Sequence, residues 1–145
     1  MVWGVFRHKK TDKIFAVVNT HFSLSDSTFS DNTTPLTQAL ELITLCKDLK
    51  NLFNCPVFPL GDFNAHRTTK NTPSPIYDIL VTAFRNTSTL AKTISHGENT
   101  NKKTLFIDHI FSFGDVTVIN HSTLSQNNFK KFSDHYPIFC DISIQ

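Results

Sequence analysis

The chain has 145 residues, 39% of them hydrophobic and 18% charged, with a formal net charge of +2. These values fit one globular domain and argue against a disordered segment or a dedicated, strongly basic nucleic-acid binder. No apolar run approaches the ~20 residues of a membrane-spanning helix, and Met1 to Phe6 lacks the basic and long apolar regions of a signal peptide. Fourteen phenylalanines supply ample core volume. Three cysteines, Cys46, Cys55 and Cys140, are an odd number without zinc-ligand spacing. They read as reduced, structural thiols, which suits an intracellular setting, cytoplasmic or nuclear.

Val2 to Arg7 and Ile14 to Thr20 read as two strands of a hairpin that turns at His8 to Lys13. Ser23 to Thr33 reads as a polar loop. Thr34 then offers an N-cap and Pro35 a first-turn residue. Ala39, Leu42, Ile43, Cys46, Leu49 and Phe53 recur at helical spacing, with Lys47 and Lys50 near the end that favours cations. Val57 to Leu60 reads as a short buried strand, although Pro59 cannot donate to a ladder. Ser74 and Pro75 start a second helix through Tyr77, Leu80 and Phe84. Asn86 to Asn101 is polar and reads as irregular. Thr104 to Phe111 and Val116 to Ile119 read as strands turning at Phe113 to Asp115, and Gln126 to Lys131 as a basic loop. Ile138 to Ile144 alternates as a half-buried strand. Strands interleaved with one or two helices indicate α/β or α+β, and pattern alone does not choose between a parallel sheet and a sandwich.

Four of these strand ends carry polar motifs: Asn19-Thr20-His21, Gly61-Asp62-Phe63-Asn64, Ile107-Asp108-His109-Ile110 and Ser133-Asp134-His135-Tyr136-Pro137. Four such ends predict a polar pocket rimmed by strand termini. The residue types suit phosphoester hydrolysis, which needs an activated water, charge stabilisation on the phosphoryl oxygens and help for the leaving oxygen. Asp62, Asn64 and Asp134 offer hard oxygen donors of the kind Mg²⁺ takes. Asp108 and His135 can form an Asp–His pair that fixes the imidazole tautomer and raises its basicity. His21 adds a second imidazole. His8, His66, His96, His109 and His121 are left as structural or exposed, with His66 and His109 the strongest exceptions because each sits beside a motif.

These motifs, in this order, resemble the endonuclease/exonuclease/phosphatase superfamily of DNase I-like phosphoesterases, from about Trp3 to Ile142. The resemblance implies an α+β fold, a two-layer β-sandwich flanked by helices. It covers the later part of the family domain, so residues 1–145 are expected to be one N-terminally truncated domain lacking its first strands. It implies a metal-dependent hydrolase of phosphodiesters or phosphomonoesters, in nucleic acid, nucleotides or phospholipid head groups, using Mg²⁺ or Mn²⁺. Asp62 would orient or deprotonate the attacking water and Asn64 would position it. Asp134 would be a metal ligand beside Asp62 and Asn64. His135, paired to Asp108, would contact the scissile phosphate, as would His21, while Asn19 would orient its strand end. Three features depart from the family pattern. The early metal-ligand Glu has no counterpart, Pro35 stands before Gln38 where a basic residue is usual, and Pro59 interrupts a strand. The alternative reading is therefore a catalytically incompetent fragment or binding remnant.

Overall fold

The computed structural model describes residues 1–24, 33–67, 74–94, 106–124 and 132–145, with the side chain of residue 33 set aside. The parts of the expected loops at 25–32, 95–101 and 126–131 lie outside the described residues, as does His96. Strands β1 (Val2–Arg7) and β2 (Ile14–His21) form the expected hairpin. Its turn closes through backbone bonds from His8 to Lys13 and from Asp12 to His8, both 2.8 Å. Asp12 takes the left-handed φ of 59° that short polar side chains tolerate.

Helix α1 (Thr33–Phe53) then carries the chain over, so that β3 (Val57–Asp62) lies parallel to β2. A parallel pair requires such a crossover, because a tight turn cannot return the chain in the same direction. The helix buries Ala39, Leu42, Cys46 and Leu49, spaced three and four residues apart on one stripe. It begins one residue earlier than the proposed cap, so Thr34 sits within its first turn. It ends before Asn54, whose φ of 47° gives the left-handed conformation that commonly stops a helix.

Helix α2 (Pro75–Ala83) starts as expected. Ser74 Oγ accepts the Ile76 N–H at 3.2 Å, and proline occupies the first turn where a missing donor costs nothing. The segment expected to be irregular instead holds three short elements: β4 (Arg85–Asn86), α3 (Thr87–Leu90) and β5 (Thr93–Ile94). Strand β6 (Asp108–Ser112) leaves out Phe106 and Ile107 of its predicted range, whose first residues, 104 and 105, lie outside the described residues, and β7 (Val116–Thr123) runs four residues further than Ile119. Strand β8 (Ile138–Ile144) matches its predicted range.

One sheet has the order β1-β2-β3-β6-β4 and a second the order β5-β7-β8. Ala16, Val18, Val57 and Phe111 point from the first sheet into the core shared with α1 and α2. The opposite face of that sheet carries Phe15, Val17, Phe58, Leu60 and Ile110. These look across an open cavity of about 520 Å³ towards Ile142 and Ile144 of β8. The architecture is thus α+β, two sheets flanked by helices.

Pro59 is accommodated by a gap. Val57 exchanges both backbone bonds with Phe113, at 3.0 and 2.9 Å, and regular pairing of β3 with β6 spans only Leu60 to Asp62. Donors on one side of a strand alternate. The missing donor of Pro59 therefore falls on the β6 side, between these two paired stretches.

Candidate active site

Three strand ends lie side by side. His21 pairs in register with Asp62, and Asp62 pairs with Asp108, so the three side chains form a row on one face of the sheet. The row continues the apolar positions Val17, Leu60 and Ile110, because alternate residues of a strand share a face. Each strand therefore changes from apolar to ionisable on the same face as it leaves the core.

The backbone at this edge allows close approach. Gly61 has φ 132°, and a Cβ placed there would lie 1.9 Å from the Thr20 carbonyl oxygen. Only glycine fits that position. Beyond it, the Phe22 N–H donates to the Asp62 carbonyl at 2.9 Å, and the Phe63 N–H donates to the Ile107 carbonyl at 3.0 Å. Phe22 and Phe63 then turn inward and meet edge to face at 5.1 Å. Asn64, at φ 47°, returns its backbone N–H to Asp62 Oδ1 at 2.8 Å. Its side-chain amide donates to the Phe22 carbonyl at 2.7 Å. Asn64 thereby ties the ends of β2 and β3 together and fixes the Asp62 carboxylate, and it does not itself line the cavity.

His135 arrives from the opposite direction, on the segment before β8. Its N–H donates to Ser133 Oγ at 3.0 Å, a local turn of the kind serine favours. His135 Nδ1 lies 3.1 and 2.9 Å from the two Asp108 carboxylate oxygens. An ionised carboxylate only accepts, so Nδ1 carries the proton and donates. Nε2 is then directed to the cavity, 3.9 Å from Asp62 Oδ2, and His21 Nε2 lies 3.6 Å from that same oxygen. The Asp62 and Asp108 side chains are 17% and 14% exposed, whereas His135 is 31% and His21 73% exposed. The carboxylates are held in the floor and the imidazoles face solvent.

An open cavity of about 700 Å³ gathers His21, Asp62, Asp108, Asp134 and His135, together with Asn19, Thr20, Gly61, Met1 and Val2. Five of the six candidate residues thus meet in one place, with Asn64 just behind. Donor atoms of Asp62, Asp108 and His135 lie within 4.8 Å of one another, the dimensions of a cation site. Met1 and Val2 carry no chemistry a sequence reading would single out. The signal for them was the hairpin register, which sets Val2 opposite Asn19.

The two histidines flagged beside the motifs are not brought to this cavity. His109 is fully buried. Its Nε2 meets the Ala65 carbonyl at 2.8 Å and its Nδ1 meets the Asn86 amide at 3.1 Å. Burial lowers its pKa to about 4, so it is a neutral core residue. His66 is half-buried and lies outside the cavity. Asn86 and Thr87, expected in an irregular polar stretch, are buried: the Asn86 amide donates to Tyr77 Oη at 3.2 Å, and Thr87 Oγ1 donates to the Ile110 carbonyl at 2.8 Å. Cys46 and Cys55 are buried free thiols and Cys140 is half-buried; burial pushes Cys46 up to about 12 and Cys140 to about 11, so neither is a nucleophile.

No family model and no curated protein matches the chain. Solved structures do. A mannosyl-6-phosphatase of Bacteroides thetaiotaomicron superposes with a TM-score of 0.77 at 21% identity, covering 98% of this chain and 56% of the phosphatase. An endonuclease/exonuclease/phosphatase protein of Bacteroides vulgatus gives 0.76 at 23% identity, over 99% and 54%. A beta toxin of Staphylococcus aureus with bound magnesium ions gives 0.60 at 18% identity, over 94% and 55%. The chain spans little more than half the length of these structures. Residues 1–145 carry the fold of the endonuclease/exonuclease/phosphatase proteins, over the part of it that the four strand-end motifs mark.

Proposed function

We propose that the cavity is the catalytic face of a metal-dependent phosphoesterase. The observation that carries this reading is the placement of His135 between two carboxylates. Asp108 accepts from Nδ1 on one side, and Nε2 faces Asp62 across the cavity on the other. The arrangement suits a histidine that donates to, or protonates, an oxygen bound between itself and Asp62. Asp62 is held by the Asn64 N–H through one oxygen and presents the other between the two imidazoles, where it can orient or accept a proton from an attacking water. His21 offers a second donor to a phosphoryl oxygen from the exposed rim.

The cavity offers oxygen donors of the kind a hard divalent cation takes: ligand atoms of Asp62 and Asp108 lie within 4.8 Å of each other and of His135, and exposed Asp134 lines the same cavity. Mg²⁺, or Mn²⁺ in its place, bound by these residues would supply charge neutralisation on the phosphoryl group. Two of the similar proteins support the reading in kind, one a sugar phosphatase and the other a toxin holding magnesium. A nucleic-acid, nucleotide or phospholipid substrate each fits so open a cavity.

The test is Mg²⁺-dependent hydrolysis of 4-nitrophenyl phosphate and bis(4-nitrophenyl) phosphate by residues 1–145, with phosphate binding measured alongside. Turnover lost in both Asp62→Ala and His135→Ala supports catalysis at this cavity. Turnover indifferent to both variants defeats it. Phosphate binding without turnover leaves the alternative, a binding remnant.

A further inference from the structure

We propose that the apolar cavity between the two sheets binds a single-chain amphiphile with an anionic head, of the fatty-acid class, with its tail between the sheets and its head at Lys13. The proposal is independent of the phosphoesterase reading. This cavity lies on the same face of the first sheet as the ionisable row, yet none of His21, Asp62, Asp108 and His135 lines it.

Its first wall follows from register. Phe15 and Val17 alternate along β2, and Phe58 and Leu60 do so beside them on β3, so all four share one face. Phe6 stacks on Phe15 at 5.6 Å, and Phe15 meets Phe58 edge on at 6.2 Å, which fixes the rings in place. The facing wall is β8, whose Ile142 and Ile144 point inward by the same alternation. Two packed sheets normally bury such inner faces against each other. Here Phe15, Val17, Leu60, Ile142 and Ile144 all stay half-buried, because the walls stand apart around about 520 Å³. That volume lies within the ~300–1,000 Å³ of sites that take a small organic molecule.

The mouth decides the head group. His8, Thr11 and Lys13 of the β1–β2 turn line it, and no carboxylate does. His8 Nδ1 and Thr11 Oγ1 lie 2.8 Å apart, which holds the imidazole against the turn. The one carboxylate of the turn, Asp12, is taken by Arg7 at 3.1 Å. Asp141 of β8 alternates to the outer face, where the Asn120 amide reaches it at 3.4 Å. Among the described residues Lys13 has no ion-pair partner. An apolar trough that ends at an unneutralised ammonium complements a molecule apolar along its length and anionic at one end. A cationic amphiphile would be repelled there. A polypeptide strand laid along β8 would draw its affinity from main-chain bonds and be indifferent to Lys13.

The experiment titrates residues 1–145 calorimetrically with sodium decanoate below its micelle concentration, and with decyltrimethylammonium as the same tail under the opposite charge. Decanoate should bind once per chain with a Kd of about 100 μM or tighter. The cation should bind about tenfold more weakly. Lys13→Glu, at an exposed position, should cost decanoate about tenfold or more and reverse the preference. Val17→Glu sets a carboxylate into the apolar wall and should abolish decanoate binding, with circular dichroism confirming the fold. Should that variant fail to fold, the charge reversal at Lys13 alone decides. His21→Gln, in the other cavity, should leave binding unchanged. Methyl resonances of Val17, Ile142 and Ile144 should shift as decanoate is added to the parent. Absence of saturable binding, equal affinity for the two charges, or decanoate affinity that survives Lys13→Glu would each overturn the proposal. Binding lost in His21→Gln would place the ligand in the ionisable cavity and overturn it as well.

Discussion

The two faces of β6 set side by side two uses of polar residues. Asp108 looks outward into a cavity, beside a half-exposed His135, and its partner is another ionisable group. His109, the next residue, looks inward among Phe63, Tyr77, Phe106 and Phe111, and its partners are a neutral amide and a backbone carbonyl. The first region keeps charge near water, where it can act. The second keeps polarity but excludes charge, and so contributes to the shape of the core. The difference follows from a period of two along one strand.

The comparison predicts separable losses. His135→Ala should lower any Mg²⁺-dependent turnover by ~10²–10⁴-fold, with the melting temperature nearly unchanged. If turnover stays within a factor of two of the parent, His135 has no chemical part. The inner region should instead reveal itself through pH. His109 has an ordinary pKa near 6.5 when unfolded and about 4 when folded. The unfolded chain therefore binds the proton first, and stability rises with pH across this interval. Stability should be full above pH 6.5 and fall on acidification from there to about pH 4, by roughly 3 kcal/mol. Denaturant melts at a series of pH values measure this; a flat profile would contradict it. His121, also lowered by burial, adds in the same direction.

His109→Phe sharpens the same contrast. It should cost roughly 1–3 kcal/mol at neutral pH, because the Asn86 amide and the Ala65 carbonyl lose their partner. It should also flatten the acid slope and leave turnover per folded molecule intact. A variant with normal stability and defective catalysis would place His109 in the working region after all. At the small end, Arg7→Ala breaks an ion pair with Asp12 whose side chains are 63% and 77% exposed. Its effect on the melting temperature should lie near the limit of detection, as for most exposed pairs.

The outer region was the more legible from sequence. A strand that ends in Asp or His announces itself, because an apolar run predicts the strand and the terminal residue has no reason to be buried. Three such ends could be placed in one row only by the sheet, since register between β2, β3 and β6 is a long-range property. The inner region misled for a physical reason. Asn86, Thr87 and Ser88 read as loop by composition, whereas the fold buries them and satisfies them through Tyr77, His109 and the Ile110 carbonyl. The extent of β7 was hidden by an irregularity between Val118 and Asn120, which breaks the alternation just where Asn120 to Thr123 turn polar. For His109 a signal was available: an outward Asp108 obliges its neighbour to point inward.

The register of the three strand ends has a consequence for how this cavity can change. Neighbouring strands sit about 4.8 Å apart, a pitch set by main-chain hydrogen bonds and indifferent to side-chain identity. The row His21, Asp62, Asp108 is thus graduated like a ruler, and no substitution in a loop can lengthen its divisions. A slip of one residue would not adjust the spacing but turn the whole strand over and send its ionisable end into the core. Drift in this molecule is therefore channelled: the groups mounted on the ruler can be exchanged, and the loops around it redrawn, while the interval between them is inherited unchanged.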